Sequence, residues 1–142
     1  MQESSLVVLK AVSKILLPLM IAFGLYIQIA GSSNPGGGFQ AGAILASSIV
    51  LIDILFDRKI FSSLFSMKKL YVYASLGILI YLFPGLISIF NNQQFLNYFS
   101  LRFVNNPQTF GITIIEIGVG LTVFSSLSLI YLKFYRGNGE VK

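Results

Sequence analysis

Residues 70–90 read LYVYASLGILIYLFPGLISIF, twenty-one residues without one charge. A helix needs about 20 mostly apolar residues to cross a bilayer. The same reading applied outward finds three more such runs, at 10–30, 39–56 and 111–131. Each is bounded by polar or Gly/Pro/Asn punctuation: GSSNPGGG, DRKIFSSLFSMKK, and the stretch from NNQQ to NNPQT. The expected fold is an all-α membrane protein, a single domain over 1–142 with four transmembrane helices.

Composition points the same way. The chain has 142 residues, 55% hydrophobic and 11% charged, with a mean hydropathy of +0.80. A soluble domain carries about 25% charged residues. Cys and His are both absent. That excludes disulfides, zinc and iron–sulfur ligation and thiol nucleophiles from this chain, so neither cofactor nor metal is expected. Proton chemistry falls to five carboxylates: Glu3, Asp53, Asp57, Glu116 and Glu140. The net charge of +5 is not a nucleic-acid signature, because the basic residues flank apolar runs. The first run lacks a cleavage site after a short apolar core, so it is read as a spanning helix and not as a cleaved signal peptide.

Lys and Arg set the direction. Lys10, Lys14, Arg58, Lys59, Lys68, Lys69, Lys133, Arg136 and Lys142 fall on one side, and Arg102 alone on the other. Both termini are therefore expected in the cytoplasm, with Lys10 and Lys14 snorkelling to that interface. Tyr71, Tyr73, Tyr131, Phe134 and Tyr135 lie at the same interface. Pro18 and Pro84 fall inside spans, where each removes a backbone donor and favours a kink. In the 91–110 connection, Phe95, Phe99 and Phe103 recur every four residues. That spacing suits either a short surface helix or an irregular, partly buried loop.

The segment GSSNPGGGFQAG at 31–42 joins the first two spans on the outer side. Asn34-Pro35 starts a turn, and Gly36, Gly37 and Gly38 open backbone angles closed to other residues. It lacks the Gly-Lys-Ser/Thr ending of a nucleotide loop. Gly38, Gly42 and Ala46 form a small-residue ridge; Gly118, Thr122 and Ser126 form another. Two such faces suggest packing within the bundle and against partner subunits.

The loop resembles that of the MnhB-type subunits of the multisubunit Na⁺/H⁺ antiporters (Mrp/Mnh type). That family carries Gly-His-x-x-Pro-Gly-Gly-Gly-Phe-x-x-Gly between its first two spans. The match falls on Gly31, Pro35, Gly36, Gly37, Gly38, Phe39 and Gly42. Glu116-Ile117-Gly118-Val119 is similar to the family's Asp-apolar-Gly-Val in the last span, and Phe56-Asp57 is a weaker match. Ser32 stands where the family often has His, so no imidazole is available at the loop. Glu116 keeps the carboxylate on a longer arm. The resemblance implies an accessory subunit of a Na⁺/H⁺ antiporter in the bacterial inner membrane, not an enzyme. Its implied partners are the complex's other membrane subunits, Na⁺ and H⁺, and lipid. Similar subunits occur in redox-driven complexes such as membrane-bound hydrogenases, which is the alternative; a scaffold without ion contact is a second.

Glu116 is the first ion-path candidate, since a carboxylate within a span is costly and faces protein or water. The bland alternative is a structural Glu paired with Arg102 or a partner chain. Asp53 and Asp57, four residues apart on one helical face, are the next candidates. They could equally pair with Lys14, Lys59 or Lys68. Gln28, near the outer end of the first span, is read as a hydrogen-bonding contact to another helix.

Overall fold

The computed structural model describes residues 2–31, 35–56, 65–101 and 104–137. Its described elements are helices: α1 Gln2–Ala30, α2 Gly38–Leu55, α3 Met67–Phe90, a 3-10 turn Tyr98–Ser100, and α4 Pro107–Gly137. The stretches Leu6–Ala30, Gly38–Leu55, Met67–Phe90 and Pro107–Phe134 are long and apolar enough to cross a membrane. The shortest, α2, has 18 residues, or about 27 Å of rise, close to a hydrocarbon core of about 30 Å.

Two helices run well past the expected spans, because hydropathy marks the apolar window and not the hydrogen-bonded ladder. α4 starts at Pro107, whose fixed φ and missing N–H suit a first helical turn. Phe110 N then donates to Asn106 O at 3.1 Å. The Ser66 side chain caps α3 by accepting from Lys69 N. α1 and α3 run through Pro18 and Pro84 without interruption.

The helices form a row, α1–α2–α4–α3. α2 packs on α1 and α4, and α4 packs on α2 and α3; α1 reaches α4 only slightly. Among the described residues, α3 makes no packing contact with α1 or α2. α2 and α4 run parallel at a constant offset of 78 residues. Gly38 abuts Glu116, Gly42 abuts Gly120, and Asp53 meets Tyr131. α3 runs antiparallel to α4: Gly77 faces Gly118 and Thr122, and Lys133 Nζ lies 5.9 Å from the Tyr71 ring centre.

Glycine makes both α4 interfaces possible. A Cβ at Gly42 would come within 2.5 Å of the Gly120 carbonyl oxygen, and one at Gly38 would strike the Glu116 carbonyl. A Cβ at Gly118 would stand 2.7 Å from Gly77 O and from Tyr81 N. Gly38 and Gly42 are thus spent on α4, with Ala46 in the core, and Gly118 and Thr122 are spent on α3. This corrects the expectation that part of these ridges would be left for partner subunits. The hydroxyls of Ser48, Thr122, Ser125 and Ser128 donate to carbonyls four residues back, so their polarity stays within their own helices.

Ala46, Leu70, Phe124, Leu129 and Leu132 form the buried core, with Phe65 edge-on to Phe124 at 5.6 Å. A row has two broad faces, and much apolar surface stays outside: Val7, Ile15 and Ile29 on α1, and Phe83 and Phe90 on α3, are exposed. Such a surface suits lipid or neighbouring membrane helices, not water.

The 91–106 connection is an irregular folded loop, and not a surface helix. Asn92 and Leu96 take positive φ, which breaks a helical stripe. The Phe95 ring covers Gly85 and the Tyr98 ring covers Gly111. The Ser88 hydroxyl reaches Pro84 O at 2.9 Å and Asn97 O at 3.0 Å, tying the loop to α3. Phe99 is exposed, and Phe103 lies outside the described residues.

Candidate functional site

Glu116 lies nine residues into α4, about 13 Å along the helix from Pro107. The parallel pairing of α2 and α4 puts the start of α2 at this level, and the end of α1 reaches it too. The glycine loop and Glu116 therefore meet, although about 80 residues separate them. A Cβ at Gly31 would come within 2.6 Å of Glu116 Oε2, and one at Gly37 within 3.3 Å of Oε1. Glycine at 31 leaves the room that the carboxylate occupies. Gly36 has φ +132°, a backbone angle that disfavours side chains, and a Cβ there would meet Ile27 at 2.9 Å.

Gln28 joins this group from α1. Its Oε1 lies against Gly120, one turn along α4 from Glu116. Gln28 Nε2 and Glu116 Oε2 are both buried, and neither has a hydrogen-bond partner among the described residues. One is a donor and the other an acceptor, in a region where an unpaired polar atom is costly. Below Gln28 opens a cavity of about 360 Å³, lined by Ile21 of α1, Leu45 and Ile49 of α2, and Leu121 and Phe124 of α4. Gln28 is the polar residue at its rim.

The other motif residues divide by role. Gly38 and Gly42 hold α2 against α4, whereas Pro35 and Phe39 are exposed. Ser32 and Arg102, which bear on the loop and on a possible partner for Glu116, lie outside the described residues.

Asp53 is buried near the far end of α2, at 8% exposure. Its Oδ2 accepts a 2.7 Å hydrogen bond from the Tyr131 hydroxyl. Its partner is thus a neutral phenol on α4. Asp57 lies outside the described residues, so the pairing of the two carboxylates is not seen. Fifteen residues of α4 separate Glu116 from Tyr131, about 22 Å of rise, with Phe124 packed between. Glu116 and Asp53 are two separate polar stations on one helix pair.

Sequence reasoning underweighted two residues here. Gln28 looked like an ordinary interhelical amide, and Tyr131 like an interfacial aromatic ring. The only signal was their position opposite Gly120 and Asp53, which becomes readable once α2 and α4 are known to pair in parallel.

A family model described as "Domain related to MnhB subunit of Na+/H+ antiporter" matches residues 8–129. A Staphylococcus haemolyticus protein whose name makes it antiporter subunit mnhB2 is 33% identical over 138 residues, covering 92% of this chain and 95% of that protein. A Na(+)/H(+) antiporter subunit of Bacillus subtilis is 32% identical over 126 residues, covering 86% and 87%. The matches span all four helices.

Proposed function

The chain belongs to the family of domains related to the MnhB subunit of Na⁺/H⁺ antiporters, and from that premise we propose that it is an accessory membrane subunit of a multisubunit Na⁺/H⁺ antiporter. It braces or lines an ion path where it meets other subunits. It does not transport alone, since four helices with few titratable groups and no inverted repeat do not make an alternating-access machine. The membrane is the bacterial plasma membrane. Both termini face the cytoplasm, on the strength of nine Lys and Arg residues against one. The glycine loop and Glu116 then belong to the outer half.

The observation that carries the ion-path reading is the Glu116 carboxylate, inside a span, closed over by glycines and unpaired at Oε2 among the described residues. A purely structural carboxylate in this setting would have a fixed donor. The test is Glu116→Gln in the intact complex, assayed for Na⁺-driven proton movement in vesicles. Assembly at native level with antiport lost supports the reading. Native antiport with native ion selectivity removes Glu116 from the path and leaves the scaffold reading.

A further inference from the structure

Glu116 and Gln28 present opposite halves of one hydrogen-bonding arrangement. Glu116 Oε2 needs a donor, and Gln28 Nε2 needs an acceptor. Gln28 and Gly31 stand about one turn apart on α1; Glu116 and Gly120 stand one turn apart on α4. Gly31 is packed against Glu116 and Gly120 against Gln28, so the two head groups are stacked about one helical pitch apart, 5.4 Å. Two hydrogen bonds of about 2.8 Å in series span that distance. Water is the smallest species that accepts from an amide N–H and donates to a carboxylate at once. The cavity beside Gln28 is large enough for it.

We propose that Gln28 and Glu116 hold one bridging water that passes protons to and from Glu116, and that this site does not coordinate Na⁺. The proposal rests on the ion-path reading of Glu116 and specifies which ion the residue handles. Hard cations take oxygen ligands. Here one of the two unpaired atoms is an N–H donor, whose partial positive charge opposes a cation and suits a water lone pair. In the transfer, the water gives one O–H proton to Oε2 and takes the incoming proton on its free lone pair. The carboxylate becomes a carboxyl, and the water is restored. Gln28 is a positioning residue: it holds the water and exchanges no proton.

The test uses the intact complex in proteoliposomes, with Gln28→Met, which keeps length and removes the amide, and Glu116→Gln. With complex yield unchanged, Gln28→Met should cut turnover about tenfold and leave the KM for Na⁺ within about twofold of native. A raised Na⁺ KM with turnover retained would mean that Gln28 helps coordinate the cation, and overturns the proposal. Native kinetics in Gln28→Met overturn it too. If Gln28→Met lowers complex yield, Gln28→Glu is read by the same split. Inactive Glu116→Gln beside a fully active Gln28 variant sinks the water alone; fully active Glu116→Gln sinks the ion-path reading beneath it.

Discussion

The Tyr131 hydroxyl donates a 2.7 Å hydrogen bond to Asp53 Oδ2 across 78 residues of sequence. The same offset sets Gly38 against Glu116 at the other end of the same helix pair. One parallel register thus fixes both polar stations. A slip of a residue would separate Tyr131 from Asp53 and drive the Glu116 backbone into a new neighbour.

Tyr131→Phe should therefore destabilise the protein, because it leaves a buried carboxylate oxygen without its donor. The expected cost is about 1–3 kcal/mol. Asp53→Asn keeps an acceptor oxygen and should cost less. Thermal unfolding of the purified complex in detergent measures both, and an unchanged midpoint for Tyr131→Phe would show that the bond adds nothing.

Gly38 and Gly24 give a matched contrast. A Cβ at Gly38 strikes the Glu116 carbonyl and approaches Gly120 N at 2.9 Å, so α2 and α4 must move apart. Gly38→Ala should cost about 1–3 kcal/mol through overpacking and lower the amount of chain recovered with its complex. At Gly24 the nearest atoms belong to the Leu45 side chain, at 3.0 and 3.1 Å, which can shift. Alanine also gains about 1 kcal/mol over glycine inside a helix. Gly24→Ala should assemble normally. Equal yields for the two variants would contradict this packing argument.

Gly31→Ala probes the contact between loop and carboxylate. Its Cβ would press on Glu116 Oε2 at 2.6 Å, and the flexible carboxylate would give way. A displacement of about 1 Å can cost roughly a hundredfold in rate. Antiport should fall while the complex still assembles, and the substitution should add little in a Glu116→Gln background. Additive losses in the double variant would mean that Gly31 acts through something other than Glu116.

What the sequence disclosed follows from which interactions are local. The four spans were legible because about 20 apolar residues in a row have few other uses. The ridges at Gly38, Gly42, Gly118 and Thr122 were legible as ridges, since their spacing lies within one helix. Their pairing was not, because nothing local states that α4 stands between α2 and α3. For the same reason the meeting of Gly31 with Glu116, and of Tyr131 with Asp53, waited on the structure. The stripe of Phe95, Phe99 and Phe103 misled in another way: helical spacing existed, but Gly85 and Gly111 offered flat seats for the Phe95 and Tyr98 rings.

Those seats carry a pH dependence. Tyr98 lies in the connection between α3 and α4, outside the spans. Burial raises its phenol above the ordinary value of 10.0, and the neighbouring Tyr81 adds to the rise. The neutral phenol is thus favoured when the loop is folded over Gly111. The folded state holds the proton at pH values where the unfolded chain has released it. This contribution to stability is whole below about pH 10 and is lost as pH climbs through the folded-state value. Tyr98→Phe keeps the ring on Gly111 and removes the ionisation. The native complex should lose thermal stability relative to Tyr98→Phe above pH 10, while the difference between the two stays constant from pH 7 to about 9. A difference equally constant through pH 11 would mean that the Tyr98 phenol titrates alike in the folded and unfolded chain.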